Sequence, residues 1–203
     1  MSLKKLVIAT ALTTVSTLTL AAGFDGPFVQ AGVGFADTET KTSGDISFLG
    51  DSSKTDTIGQ IAAGYSQSFG QYNIAGDIFY VIGDQKSGDH NVSNGVNSID
   101  VHFKGTNTWG INIEPGFYLN DQALLYAKIG YSETKGKGDV SGIISGDLGS
   151  ETFHGFGYGL GFKYKFHSNL YGLAELEQID YHEKNNVKPN SLIGTIGVGY
   201  QFQ

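Results

Sequence analysis

Apolar and polar residues alternate with a period of two from Phe28 to the end of the chain. This period places successive side chains on opposite faces of a β-strand. In the clearest segment, Trp109 and Ile111 share one face, while Asn112 and Glu114 lie on the other. The alternation predicts eight strands, at 28–36, 57–69, 72–82, 101–119, 124–132, 155–166, 170–179 and 192–202.

The connections between these strands alternate in length. Long polar stretches are predicted at about 37–56, 83–99 and 133–152, with a shorter one at 182–190. Tight turns are predicted at 70–71, 120–122 and 167–169. Each turn joins two residues of the apolar face: Phe69 to Tyr72, Leu119 to Ala123, and Phe166 to Leu170. Short periplasmic turns, longer outer loops and an even strand number are typical of a membrane barrel.

The apolar face carries the bulky side chains, and the opposite face carries glycine and charge. The sixth strand has six large residues on its apolar face, at 156, 158, 160, 162, 164 and 166. An eight-stranded interior is barely wide enough for side chains, so we predict that this face meets lipid. A periplasmic aromatic girdle is predicted at Phe69, Tyr72, Phe117, Tyr164, Phe166, Tyr200 and Phe202. An outer girdle is predicted at Phe35, Tyr80, Phe103, Tyr131 and Phe153.

The first 22 residues have the features of a secretory signal peptide. Lys4 and Lys5 precede an uncharged run at 6–20, and small residues follow it. Cleavage after Ala21 or Ala22 is expected, which leaves 23–203 as the barrel domain. The fold class is therefore all-β: an eight-stranded antiparallel up-and-down transmembrane β-barrel after a signal peptide.

Composition excludes several classes of protein. The chain has no cysteine, so it has no disulfide scaffold and no thiolate metal site. Its formal net charge is −7, and loss of Lys4 and Lys5 with the signal lowers this to −9. All 13 basic residues are lysine. Such a surface repels nucleic acid and lacks the guanidinium fork that favours phosphate recognition.

Five segments carry a resemblance to a known family: 26–35 (GPFVQAGVGF), 114–119 (EPGFYL), 125–131 (LYAKIGY), 157–164 (GYGLGFKY) and 198–202 (VGYQF). They resemble the small outer-membrane β-barrel family, which includes OmpX, Ail and the transmembrane domain of OmpA. The resemblance implies a place in the cell outer membrane of a Gram-negative bacterium. It also implies that Tyr200 and Phe202 form a signal for the barrel-assembly machinery. In this chain Gln203 follows Phe202.

Charged residues on the inward face are predicted to form a structural network in the lumen. A turn centred on Asp121 places Glu114 opposite Lys128, and a turn centred on Ser168 places Lys163 diagonal to Glu175. The complete predicted set is Asp77, Lys104, Glu114, Lys128, Lys163, Lys165, Glu175 and Glu177.

We find no residues with the pattern of an active site, a metal site or a cofactor site. His167 and Ser168 are adjacent, so they point to opposite faces of a periplasmic turn, whereas a lipid A deacylase needs both on one outward surface. His90, His102, His154 and His182 lie in or near outer loops without the spacing of metal ligands.

These patterns favour a non-enzymatic barrel with a structural or surface-interaction role through its outer loops, because binding residues concentrate on loops. The loops are rich in carboxylates, including Asp37, Glu39, Asp45, Asp51 and Asp56. The expected partners are outer-membrane lipids, lipopolysaccharide and the assembly machinery, and the protein is expected to be a monomer. Three alternatives remain: a narrow porin-like channel, a lipid A-modifying barrel enzyme and a soluble secreted barrel.

Overall fold

The computed structural model describes residues 23–42, 52–93, 98–142, 146–184 and 186–202. The predicted signal peptide, Asp45, Asp51 and Gln203 lie outside this part of the chain. No helix long and apolar enough to cross a membrane occurs among the described residues. The strands are β1 Gly26–Thr42, β2 Ser52–Phe69, β3 Tyr72–Ile82, β4 Gln85–Ser93, β5 Ser98–Asn120, β6 Ala123–Gly142, β7 Gly146–Lys165, β8 Leu170–Tyr181 and β9 Val187–Gln201.

The strands form one closed antiparallel barrel in the order β3-β2-β1-β9-β8-β7-β6-β5-β4, and an additional pairing of β3 with β5 closes it. β3 and β4 are two halves of one barrel strand, because β3 pairs with the periplasmic part of β5 and β4 pairs with its outer part. The break between the two halves lies at Gly83, whose φ of 117° suits glycine. The predicted eight-stranded up-and-down barrel is confirmed.

Two of the predicted turns have the predicted register. Gly70 and Gln71 join Phe69 to Tyr72, which are paired across β2 and β3. Between β7 and β8, the Phe166 N–H donates to the Leu170 carbonyl at 3.2 Å. Both turns therefore join outward residue to outward residue, as the alternation requires.

The predicted pairing of Leu119 with Ala123 is wrong. Asn120 pairs with Ala123 instead, and its side-chain Oδ1 accepts a hydrogen bond from the Gln122 N–H at 2.9 Å. Because the asparagine side chain closes a tighter turn, Leu119 of β5 has no directly paired residue on β6. Beyond it, Tyr118 pairs with Leu124, and the predicted register is restored.

The strands continue far past their predicted outer ends. β5 has 23 residues, and most of the predicted loops at 37–56, 83–99 and 133–152 are strand. A strand tilted by about 40° gains about 2.5 Å of height per residue, so β5 is roughly 60 Å tall against an apolar band of about 25 Å. Side chains outside the bilayer meet water on the outer surface. The alternation therefore fades there, and the sequence pattern cannot show these strand ends.

The outer surface of the membrane-spanning part is apolar, as predicted. Phe156, Tyr158 and Leu160 are 51%, 49% and 64% exposed, and all seven residues of the predicted periplasmic girdle are exposed. In the outer girdle, Phe35, Tyr80 and Tyr131 face outward, and the side chain of Phe103 lies outside the described part. The prediction that Phe153 faces outward is wrong, because its side chain is only 8% exposed. It shares the parity of inward-facing Gly155, and the strand is continuous between them.

The interior is layered. At the periplasmic end a hydrophobic cluster fills the lumen with Phe24, Leu124, Tyr126, Tyr171 and Leu173. Towards the outer end a second cluster contains Ala36, Ile58, Ala62, Phe79, Val81, Phe153, Ile179, Tyr181 and Ile193. The buried charged side chains other than Lys165 lie between the two clusters. The lumen is therefore a packed core rather than an open tube.

Inward glycines make room for these large aromatic side chains. Gly161 pairs directly with Tyr126, and Gly199 pairs directly with Tyr171. A Cβ added at either glycine would lie 2.2 Å or 2.1 Å from the tyrosine ring. The glycines therefore allow each ring to lie flat across the neighbouring strand inside a narrow barrel.

Candidate functional site

Lys128 is the centre of the buried charge layer. Its Nζ lies 2.9 Å from Glu175 Oε2 and 3.2 Å from Glu177 Oε2, and its side chain is 1% exposed. Lys128 is on β6 and both glutamates are on β8, so the ion pairs pass over β7. Gly159 pairs with both Lys128 and Glu177 across the sheet, and its lack of a side chain leaves the path open.

Lys163 forms the second buried ion pair. Its Nζ lies 2.7 Å from Glu114 Oε2. It also lies 4.5 Å and 4.8 Å from the ring centroids of Tyr126 and Phe28, within the range of cation–π attraction. Lys163 on β7 thus reaches Glu114 on β5 by passing over β6.

The sequence predicted the positions of these groups better than their partners. The register on either side of Glu114 places it opposite Lys128, since Gly116 pairs with Tyr126 and Ile113 with Ile129. The ion pairs nevertheless connect next-nearest strands rather than adjacent ones, so the predicted pairing of Glu114 with Lys128 and of Lys163 with Glu175 is wrong. Long side chains can reach past the neighbouring strand in a narrow lumen. The pairing of adjacent strands, which is all that the turns predict, does not reveal such contacts.

The charge layer contains more carboxyl groups than ammonium groups. Asp77 is also buried, and its Oδ1 accepts a hydrogen bond from Asn112 Nδ2 at 3.2 Å. Asp77 Oδ2 and Glu114 Oε1 receive no hydrogen bond from a nitrogen or hydroxyl donor among the described residues. With Asp77, Glu114, Glu175 and Glu177 against Lys128 and Lys163, the described layer holds four carboxyl groups and two ammonium groups.

Lys165 lies apart from this layer, near the periplasmic end. Its Nζ donates to the Gly23 carbonyl at 2.5 Å and lies 5.1 Å from the centroid of the Phe24 ring. Lys165 thereby holds the segment that precedes β1 against the lumen wall.

The prediction that Lys104 points into the lumen is wrong. On the β5–β6 pair the register shifts by one residue between Thr106 and Trp109, next to Asn107, whose φ is 53°. A bulge of this kind exchanges the two faces of the strand beyond it. Accordingly a Cβ on Gly105 would point at buried Thr134, and Lys104 faces outward with its Nζ 3.9 Å from exposed Asp84.

The interior around the charge layer is tightly packed. A cavity beside Glu175, lined also by Gln30, Gln60 and Thr195, measures about 10 Å³. This is about the volume that one water molecule needs. Tyr126 Oη donates a hydrogen bond to Glu175 Oε1 at 2.5 Å, and Thr195 donates to Gln60 at 3.0 Å. Tyr126 and Glu175, and Thr195 and Gln60, therefore satisfy one another beside this cavity.

The histidines form no metal site among the described residues. His154 faces outward on β7, where its ring stacks on Tyr131 and its Nδ1 lies 3.5 Å from Glu133. The side chains of His90 and His102 lie outside the described part. His167 and Ser168 are both exposed in the turn between β7 and β8.

The two residues of the predicted assembly signal lie at the end of the last strand. Tyr200 and Phe202 both face outward, at 41% and 47% exposure. Their rings pack edge to face with centroids 5.0 Å apart. The structure thus gives their position, and their role in assembly stays a prediction.

A closed antiparallel barrel with an apolar outer belt and buried charged side chains in its lumen has the architecture of a bacterial outer-membrane protein. The sequence matches the family model described as the outer membrane protein beta-barrel domain over residues 7–202, so the chain belongs to that family. The cell outer membrane is accordingly its location.

Solved barrels are similar to this chain in fold. Neisserial surface protein A is 20% identical with a TM-score of 0.53, over 88% of this chain and 98% of that protein. Ail of Yersinia pestis, in complex with the heparin analogue sucrose octasulfate, is 19% identical with a TM-score of 0.50, over 87% of this chain and 99% of that one. No curated protein sequence matches significantly.

Proposed function

We propose that this protein is a non-enzymatic barrel that acts through its extracellular rim, meaning the barrel wall beyond the apolar belt. The observation that carries the proposal is the contrast between the two ends of the barrel. The periplasmic ends of the strands stop within a few residues of the belt, whereas the outer ends continue well beyond it. A wall of this height presents a large surface outside the cell.

The packed interior supports a role at the surface rather than in transport. Buried ion pairs and two hydrophobic clusters occupy the lumen. A conducting pore needs a continuous polar path, and the cavity beside Glu175 has room for about one water molecule.

The exposed residues of the turns do not favour lipid hydrolysis. His167 and Ser168 are neighbours in a short turn at the periplasmic end, far from the outer leaflet in which lipid A lies. Nucleophilic catalysis needs a base within hydrogen-bond reach of the nucleophile and a group that orients that base.

Reconstitution of the purified barrel in planar bilayers tests this proposal. We expect no regular conductance steps, and lipid A from expressing cells should keep all its acyl chains in mass spectrometry. A membrane-impermeant amine reagent should label rim lysines such as Lys184 on intact cells. Regular conductance steps, a lost acyl chain or protected rim lysines would each contradict the proposal.

A further inference from the structure

Asp77 is the one carboxyl group of the buried charge layer that has no ammonium group within ion-pairing distance among the described residues. It lies on β3 and is 7% exposed. On one side it pairs with Gly64 of β2, which offers no side chain. On the other side it pairs with Asn112 of β5, whose amide donates to Asp77 Oδ1 at 3.2 Å. Asp77 Oδ2 receives no hydrogen bond from a nitrogen or hydroxyl donor.

Glu114 is the carboxyl group next to Asp77. Asp77 pairs with Asn112 and Ala75 pairs with Glu114, so the two acidic residues are diagonal neighbours on the inward face of β3 and β5. Their carboxyl groups lie within hydrogen-bond reach of each other. Lys163 Nζ occupies Glu114 Oε2 at 2.7 Å, whereas Glu114 Oε1 is buried without a nitrogen or hydroxyl donor. Each carboxyl group therefore has one satisfied oxygen and one that lacks a proton donor.

The charges that face Asp77 do not neutralise it. The inward residues of β1, β2 and β9 at this height are uncharged. Both ammonium groups of the layer are in contact with other carboxylates, Lys163 with Glu114 and Lys128 with two glutamates of β8. The titratable groups that act on Asp77 are Glu114 on β5, Lys128 on β6, Lys163 on β7 and Tyr171 on β8. With four ionised carboxylates against two ammonium groups, the layer would carry a net charge of −2.

Two adjacent carboxylates are costly in such a place. Their repulsion is strong where water is excluded, and a buried charge without a partner usually disappears by proton uptake. Two like charges that share one buried site are a recognised case in which only one of the groups ionises. A single added proton would give both orphaned oxygens a hydrogen-bond partner and would halve the charge of the layer.

We propose that Asp77 and Glu114 share one proton in the folded barrel, so that the lumen contains a proton-binding site. The proton lies on Asp77 Oδ2, which donates a hydrogen bond to Glu114 Oε1. Glu114 is the ionised partner, because the ammonium group of Lys163 stabilises its negative charge. The hydrogen bond joins β3 to β5 inside the lumen. This inference concerns the interior and is independent of the function proposed for the rim.

The first test measures the proton by its linkage to unfolding. An exposed aspartate ionises near pH 4, so the unfolded chain releases the proton that the folded barrel keeps. Asp77→Asn has nearly the same shape, needs no proton and still offers an N–H to Glu114. Urea titration in lipid vesicles gives the unfolding constant of each protein. The ratio of the wild-type constant to that of Asp77→Asn should rise about tenfold per pH unit between about pH 5 and pH 7.

Glu177→Gln is the matched control for this measurement. Glu177 is buried in the same layer, but its carboxylate lies 3.2 Å from the ammonium group of Lys128. It is ionised in both the folded and the unfolded state over this range. The corresponding ratio for Glu177→Gln should therefore stay constant within about threefold. A flat ratio for Asp77→Asn, or equal slopes for the two variants, would overturn the proposal.

The second test needs no substitution. Infrared spectra of the folded wild-type barrel at pH 7 should contain the C=O stretch of a neutral carboxylic acid, because exposed carboxyl groups are ionised at this pH. The band should shift when aspartate carries ¹³C in its side-chain carboxyl group, and it should stay in place when glutamate is labelled. Absence of the band, or a shift with labelled glutamate alone, would overturn the proposal.

A bound sodium ion is the other way to neutralise the pair, since carboxylate oxygens are ligands for hard cations. Replacement of sodium chloride by choline chloride at equal ionic strength distinguishes the two. The wild-type unfolding constant should change by less than about threefold, as it should for Asp77→Asn. A larger destabilisation that is confined to wild type would show a cation instead of a proton and would overturn the proposal.

Discussion

The outer and inner faces of the barrel are formed by the same strands but meet different solvents. Outward side chains such as Leu160 contact lipid, which accepts any apolar side chain of suitable length. Inward side chains such as Lys128 contact partners on strands two positions away, with distances near 3 Å. Substitutions should therefore cost most where a partner is left buried and charged, and least on the watery rim.

The largest loss is expected for Lys128→Ala. The change leaves the carboxylates of Glu175 and Glu177 buried without their cation, which should lower the free energy of unfolding by about 3–5 kcal/mol. Urea titration of the barrel in lipid vesicles measures this. The triple variant K128A/E175Q/E177Q is the control, since removal of the charges should recover much of the loss. A loss below about 0.5 kcal/mol for Lys128→Ala would contradict the ion-pair account.

A charge on the lipid face should have the next largest effect. Leu160 lies near the middle of the apolar belt on β7 and is 64% exposed. Leu160→Lys should therefore destabilise the barrel by about 2–4 kcal/mol. The matched control is His154→Lys, on the same face of the same strand but above the belt, where a cost of at most about 1 kcal/mol is expected. Equal costs at both positions would show that the belt does not lie in the bilayer.

Gly161→Ala tests the packing between glycines and aromatic rings inside the lumen. The added methyl group would overlap the Tyr126 ring, so a loss of about 1–3 kcal/mol is expected. Gly70→Ala is an informative comparison, because nothing lies within 4 Å of a Cβ there and the cost arises from its φ of 65° alone. If Gly161→Ala/Tyr126→Leu were no more stable than Gly161→Ala, the steric explanation would fail.

The smallest effect is expected for Lys184→Ala. Lys184 pairs with Glu151 on the rim, and both side chains are about half exposed. Exposed ion pairs contribute about 0–1 kcal/mol, and added salt weakens them. A salt-insensitive loss above about 2 kcal/mol in the same urea assay would show that the rim is more tightly packed than we describe.

The sequence predicted the periplasmic half of the barrel well because two constraints coincide there. Lipid outside and a packed core inside force strict alternation, and short turns such as Gly70–Gln71 fix the register. The same logic predicted the outward positions of Phe156, Tyr158 and Leu160.

The extracellular half was less predictable, because beyond the apolar belt the outward side chains meet water instead of lipid. Polar residues then occupy both faces, and strand ends look like loops. The bulge next to Asn107 has no clear sequence signal, yet it moves Lys104 to the other face. The ion partners of Lys128 were also missed. Lys128 reaches Glu177 because Gly159, on the strand between them, has no side chain to block the path.

The alternate exposure of β7 to lipid is the central claim, and the native aromatic side chains allow a direct test. Nuclear Overhauser effects between lipid acyl-chain protons and aromatic ring protons, measured on the barrel in lipid nanodiscs, report contact with the bilayer. Strong effects are expected for the outward rings of Phe156 and Tyr158, and none for the buried rings of Tyr126 and Tyr171. The opposite pattern, with Tyr126 and Tyr171 in contact with lipid and Phe156 and Tyr158 shielded from it, would contradict the account.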